Sequence, residues 1–403
     1  MSEPVGVPAF SNHLPVRIRF GDGTASQLGS VAAGYGARRA VVMADAGLED
    51  GNAGVASAIE TLQDAGVEVE RFVKPPGEPT IELADAAALA VAEAGPQALV
   101  AVGGGSVIDT AKAARLCASL GCTFSEFLAS DRTFPDPALP LIAVPTTAGT
   151  GSEVSGGAVI TSGARKSGIA SPLLRPQDAL VDPLLTHSLP PSTTAFTGVD
   201  ALAQAMAGMI ARVRTPIGDA IALEAIRLIG RSLPVAYRSP GDGAARSEMA
   251  CASLMAGLTM NISDCTAEHA LGQAIGSIFH AAHGLTVGLV LVQTLDRERR
   301  YVPGQLERIA DALGVSEDGS GDGSRALHGV RTLLASVEFP VLTSLGVEPQ
   351  HLDRLTELAL DDFFLTQSPE AWSATEVRAA FAAALSESER SPAGSPNLNA
   401  RRR

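Results

Sequence analysis

Short apolar bursts alternate with amphipathic stretches through the first half of the chain. Residues 39–45 (RAVVMAD) read as a buried strand, 53–65 as a helix with one apolar face, and 67–73 as a second strand with alternating polar and apolar positions. A Pro/Gly turn, KPPGEPT at 74–80, leads into an Ala-rich helix over 82–94. Two further apolar runs, ALVAV at 98–102 and PLIAV at 140–144, each end in a loop rich in glycine and hydroxyl groups. Strands separated by helices at this spacing imply parallel βαβ units, which bind ligands beyond the carboxyl ends of their strands. After Pro190 the β-branched runs give way to helical patterns over 194–212, 216–229, 244–262, 267–279 and 376–385. The patterning predicts an α/β domain with a parallel sheet over 1–185 and an all-helical domain over 186–386. Residues 314–324 read as a flexible surface loop, and the polar segment 387–403, ending in three arginines, as a disordered tail.

Composition narrows the class. A chain of 403 residues is long enough for two cores, and aromatic residues at only 4% fit tightly packed helices better than an aromatic-rich β-sandwich. The net charge of −14 repels phosphate backbones and anionic headgroups, so neither nucleic acid nor a membrane is an expected partner. Four cysteines (Cys117, Cys122, Cys251, Cys265) form no CxxC pair and no disulfide framework, which favours a reducing compartment. The N-terminus has no basic segment leading into an apolar core, and no apolar run approaches the ~18 residues of a membrane span; a cytoplasmic protein is expected. Lysine is scarce, occurring only as Lys74, Lys112 and Lys166, and there are seven histidines.

Candidate chemistry lies at the strand ends. In GGGSVIDTAK (103–112), glycines after a buried strand let backbone N–H groups turn toward a ligand, and the following helix points its positive end to the same place. The chemistry is that of a pyrophosphate cradle; a plain strand-to-helix turn is the other reading. PTTAGTGSE (145–153) makes a second such loop, and two at separate strand ends favour a nucleotide site. Asp45 ends a third strand, where a carboxylate accepts bonds from a ribose 2′-hydroxyl and repels a 2′-phosphate, unless it is simply a solvated turn residue. In the second half, Asp200 and Gln204 share one helix face amid apolar residues, with no basic residue before Arg212. Three of the histidines, His269, His280 and His283, fall within one short segment. Asp200 with His269 and His283 supplies three ligands and leaves a fourth position open, as a catalytic divalent metal requires; a hydrogen-bonded pair of core histidines is the alternative.

Five ordered motifs carry a family resemblance. GGGSVIDTAK, PTTAGTGSE, the VDP at 181–183, the GVDAL at 198–202 and HALGQAIGSIFHAAHG at 269–284 occur in the order found in the iron-containing (group III) alcohol dehydrogenases, and the resemblance covers about residues 17–385. It implies a Rossmann-like dinucleotide-binding domain, an all-helical metal-binding domain, and hydride transfer between a nicotinamide and an alcohol or carbonyl carbon of a small substrate. By that resemblance Gly103, Gly104, Gly105, Ser106 and Asp109 belong to the pyrophosphate motif, Thr146, Thr147 and Ser152 to the nicotinamide end, and Lys166 to the cofactor side. Asp45 matches the acidic residue that favours NAD over NADP. The chain departs from the family where Gln204 replaces a metal-ligating histidine and Gln273 a histidine associated with proton transfer. The retained Asp200, His269 and His283 resemble the zinc set of the glycerol dehydrogenases, with Gln204 a weak fourth ligand or a hydrogen-bonding neighbour, so the implied ion is Zn²⁺ or Fe²⁺. His280, one turn before His283, is the candidate relay in place of Gln273, against its reading as an exposed helix-end residue. Alternatives are a metal-independent NADH-dependent reductase resembling the maleylacetate reductases, a lyase resembling dehydroquinate synthase, and a non-catalytic nucleotide binder. Family resemblance also implies a homodimer or higher homo-oligomer.

Overall fold

The computed structural model describes residues 9–134, 138–162 and 165–390, excepting the side chains of 162, 165–167, 389 and 390. It contains a six-stranded sheet made of β1 (Arg17–Phe20), β2 (Arg39–Asp45), β3 (Glu68–Lys74), β4 (Ala98–Gly103), β5 (Leu141–Pro145) and β8 (Asp178–Val181). A separate antiparallel pair is formed by β6 (Gly157–Ser162) and β7 (Arg165–Ala170). The large sheet is parallel throughout, in the order β1-β8-β5-β4-β2-β3. β3 lies outside β2 on one side and the chain then returns to place β4 on the other, so the winding reverses between β2 and β4. Open parallel sheets bind ligands at such a reversal, beyond the carboxyl ends of the strands.

Alternating residues of the central strands serve two different cores. Val41, Met43, Leu99, Ala101, Leu141 and Ala143 pack with the helices Ile81–Ala94 and Gly105–Leu120. Their neighbours Ala40, Val42, Val100, Val102, Ile142 and Val144 pack on the opposite face with Leu28–Gly34 and Ala53–Asp64. A parallel sheet covered on both faces needs apolar side chains at both phases of its pleat, which is why these strands read as continuous apolar runs. The edge strand β3 instead exposes Glu68, Glu70 and Arg71, charges that discourage pairing with another chain.

The chain divides into two compact units. One consists of Pro15–Gly198 with Val235–Gly257 and holds the sheet; the other holds Val199–Pro234 and the described residues from Leu258 onward. The division falls within the helices Pro191–Ile210, Pro216–Arg238 and Gly243–Ser263. The expected helix over 267–279 is found as Ala267–Phe279. The last helix, Ala374–Arg390, continues past residue 386 to Arg390, and its Ser388 hydroxyl donates to Ala384 O and accepts from Leu342 N. The rest of the expected tail, 391–403, lies outside the described residues. No disulfide joins the four cysteines, and among the described residues no helix is long and apolar enough to cross a membrane.

Candidate active site

In the sheet-bearing unit the strand ends converge. The register Ala44↔Val102 puts Asp45 abreast of Gly103, and Gly103 in turn pairs with Pro145. The helix Gly105–Leu120 starts directly after β4 with Gly104 at its N-cap and no side-chain cap. The Gly105 and Ser106 amides of its first turn are therefore left to a ligand, while Val107 N–H donates to Gly104 O at 3.0 Å, and the helix dipole favours an anion there. The two glycine loops pack on each other: a Cβ on Gly105 would lie 2.6 Å from Thr150 Oγ1, and one on Gly104 would lie 3.3 Å from Thr147 Cγ2. Thr146 N–H donates to Gly103 O at 3.0 Å and locks the second loop to the first strand end.

The polar side chains of these loops are largely committed to one another. Ser152 Oγ donates to Asp109 Oδ1 at 2.6 Å and accepts from Lys112 Nζ at 2.8 Å, while Lys112 also reaches Ser155 Oγ and Gly157 O. Val159 N–H donates to the second Asp109 oxygen at 3.0 Å. Burial pushes Lys112 down to about 8 and the neighbouring Glu153 up to about 7, with their mutual attraction opposing both shifts. Ser152 and Asp109 thus hold the loop to the helix, and the backbone is what remains to meet a ligand. Lys166 falls on β7 in register with Thr161, and its side chain lies outside the described residues.

In the helical unit the candidate site is built from side chains. The helix Pro191–Ile210 buries Val199, Ala201, Leu202, Ala203, Ala205 and Met206, so apolar residues surround Asp200 and Gln204 on nearly every side. His269 lies in the first turn of Ala267–Phe279, and His283 opens the helix His283–Gly288. Those two helices approach closely because position 272 is glycine; a Cβ there would stand 2.9 Å from the Val287 backbone. Asp200 Oδ1 lies 3.6 Å from His269 Nε2 and 3.7 Å from His283 Nε2, and one ligand atom from each residue falls within 4.8 Å of the others. Tetrahedral zinc with bonds near 2.1 Å separates its ligands by about 3.4 Å, so these distances suit a shared ion.

Neighbouring groups prepare these donors. His269 Nδ1–H donates to Glu268 Oε1 at 2.9 Å, which leaves the Nε2 lone pair free to ligate. Glu268 is held in turn by the Thr266 amide at 3.0 Å and the Thr266 hydroxyl. Burial opposes the charge on Glu268, but His269 and Thr266 outweigh it and keep the carboxyl below its ordinary range. Gln204 Nε2 donates to Asp200 Oδ2 at 3.3 Å, while Gln204 Oε1 and His269 Nε2 are buried without a hydrogen-bond partner among the described residues. Burial also resists protonation of His269, yet Cys265, Asp200 and Glu268 prevail and raise its pKa well above the ordinary value. A divalent ion at Nε2 would take the place of that proton, its charge offset by Asp200 and by Glu268 behind the ring. An orphaned amide oxygen, an orphaned imidazole nitrogen and a buried carboxylate are a donor set that fits a divalent ion. Cys265 is not part of it, because burial pushes its thiol up to about 11.

Two family models match the chain. One, described as iron-containing alcohol dehydrogenase, covers residues 15–183, and the other, the C-terminal part of the Fe-containing alcohol dehydrogenase family, covers 194–385. The chain belongs to the iron-containing alcohol dehydrogenase family. It is an oxidoreductase of the alcohol–carbonyl class. A choline dehydrogenase of Bacillus subtilis is 35% identical over 87% of this chain and 88% of its own length. The crystal structure of a 1,3-propanediol oxidoreductase superposes with a TM-score of 0.89 at 29% identity, covering 94% of this chain and 100% of that one. A sulfoacetaldehyde reductase from Bifidobacterium kashiwanohense, solved in complex with NAD⁺, gives 0.84 at 28% identity, with 94% and 99% covered.

Within this family frame, the structure gathers Asp200, His269, His283 and Gln204 into one group. His280 stands outside it, exposed at the C-cap of Ala267–Phe279 with φ 50°. Gln273 is buried on the same helix, one turn beyond His269. Sequence reasoning missed Glu268 and Lys74, although the first adjoins His269 and the second ends the strand beside Asp45. Phe364 stands edge-on to His269 with ring centroids 5.8 Å apart, its amide fixed by Asp362 Oδ1 at 2.9 Å. Trp372 is occupied elsewhere: its indole donates to Glu298 at 2.7 Å, and Arg297 lies over its ring.

Proposed function

We propose that the chain is an NAD-dependent alcohol dehydrogenase, working in reverse as a carbonyl reductase, whose helical unit holds a divalent ion through Asp200, His269 and His283. The observation that carries the reading is the pair of 3.6 and 3.7 Å separations from Asp200 Oδ1 to two imidazole nitrogens, one of them oriented by a carboxylate behind it. Held by Asp200, His269 and His283, Zn²⁺ or Fe²⁺ would supply Lewis-acid chemistry to a carbonyl or alcohol oxygen, and a bound nicotinamide would supply the hydride donor or acceptor.

The chain's own residues do the rest. The amides of Gly104, Gly105 and Ser106 bind the pyrophosphate at the helix N-terminus. Asp45 accepts bonds from the adenosine ribose, and Thr146 and Thr147 supply the second loop's contacts. Asp109, Ser152 and Lys112 keep that loop in place. Glu268 holds the His269 ring in the tautomer that leaves Nε2 unprotonated, and Gln204 steadies the second Asp200 oxygen while offering a neutral fourth donor. Phe364 lays an apolar edge beside His269. His280 receives no role, since its ring is exposed and stands outside the converging group. A panel of small alcohols and aldehydes, assayed with NADH and with NADPH before and after chelation, tests the reading. Turnover should vanish with the ion and return on adding Zn²⁺ or Fe²⁺. Full turnover in fully chelated protein would overturn it in favour of the metal-independent reductase.

A further inference from the structure

The proposed cofactor site gives Asp45 the ribose, and the role inferred for Lys74 rests on that reading. Asp45 is not alone at its strand end. β3 runs parallel to β2 with Asp45 paired to Lys74, and the next amide, Ala46 N–H, donates to Lys74 O at 2.8 Å. Lys74 Nζ has three acceptors: Asp45 Oδ1 at 3.0 Å, Pro75 O at 3.0 Å and Gly77 O at 2.7 Å. An ammonium group has three protons, so each is spoken for. The Lys74 side chain is 1% exposed, whereas that of Asp45 is 34% exposed. This arrangement differs from a solvated surface ion pair. The two carbonyls fix the ammonium beneath the carboxylate, and they would keep it there if the carboxylate were removed.

The charge arithmetic at the strand end changes accordingly. A lone carboxylate beside the ribose repels a 2′-phosphate by its full charge, but Asp45 is one half of a neutral pair with a buried, immobile cation. The geometry points to Lys74 as a second determinant of cofactor choice: it orients Asp45 toward the ribose hydroxyls and offsets the repulsion of a 2′-phosphate that Asp45 alone would exert. Neutralising Asp45 then does more than remove repulsion. It leaves a buried cation without a carboxylate partner beneath the place where a 2′-phosphate would sit.

Calorimetric dissociation constants for NADH and NADPH, measured on the full chain without substrate, test this independently of turnover. Lys74→Met should widen the NADH preference at least about tenfold by weakening NADPH. Asp45→Asn should reverse the preference toward NADPH, with affinity that falls steeply as salt is raised, and Asp45→Asn/Lys74→Met should lose most of that gain. The cycle needs only the last two proteins if Lys74→Met alone fails to fold. Equal NADPH affinity in Asp45→Asn and Asp45→Asn/Lys74→Met would overturn the role of Lys74. Failure of every variant and of the wild type to bind NADH would instead overturn the cofactor reading beneath it.

Discussion

The two units place their chemistry in different parts of the chain. In the sheet-bearing unit the polar side chains of the glycine loops are bonded to each other, Ser152 to Asp109 and Lys112, and what remains there for an anion is backbone: uncapped amides at Gly104 and Gly105. In the helical unit the backbone is consumed by the helices, and side-chain donors remain, His269 Nε2 and Gln204 Oε1 among them. A backbone site is defined by where glycine permits close approach. A side-chain site is defined by distances between helices far apart in sequence. The first tolerates changes of side chain and fails when a Cβ is added, while the second fails when one ligand atom is lost.

The largest expected effect separates the units directly. His269→Ala should lower the rate of alcohol oxidation by roughly 10³-fold or more and abolish bound metal, with NADH affinity unchanged. Metal analysis and NADH titration on the same preparation check it, and retention of stoichiometric metal would break the comparison. Glu268→Ala should weaken metal affinity by about 10–100-fold, read by competition with a chelator of known affinity, because the ring of His269 loses the acceptor that fixes its tautomer. Glu268→Gln, which keeps an acceptor oxygen, should recover part of that loss. A smaller effect of opposite character is expected from Gly105→Val. Its branched side chain must displace Thr150, at about 1–3 kcal/mol of strain, so NADH binding should weaken at least about tenfold with metal content intact.

The last effect bears on stability and not on activity, and it concerns pH. Burial raises the Glu153 carboxyl to about 7 from an ordinary 4.5, so the folded chain keeps a proton that the unfolded chain releases. The resulting stability is fully present below about 4.5 and is lost as pH rises through about 7, a span worth roughly 3 kcal/mol. Glu153→Gln should flatten the denaturant midpoint across that window, and parallel profiles for the two proteins would contradict the buried placement.

The same contrast explains what could be read from the residues alone. Parallel strands ending in glycine loops are local patterns, so β2, β4 and β5 and their ligand-facing ends were legible in order. The strand β8 and the pair β6 and β7 were not, because four- and six-residue segments with Gly, Ser and Asp carry little periodicity. Asp200, His269 and His283 were legible as residue types, since a carboxylate among apolar residues and histidines in so histidine-poor a chain demand partners. Their convergence depends on close helix packing at Gly272, which no local pattern announces. Nothing in the local pattern marks Glu268, and only the folded geometry turns it toward the adjacent imidazole. Lys74 looked like part of a turn, and parallel pairing is what sets it against Asp45.

The central claim is that Asp200, His269 and His283 together hold one divalent ion. Titrating chelator-treated protein with Co²⁺, and following the visible absorption of the ion, should give a saturable band at one equivalent per chain that is absent from Asp200→Asn and His283→Ala and undiminished in Gly105→Val. Failure to saturate, or an equal band in Asp200→Asn and His283→Ala, would contradict the account.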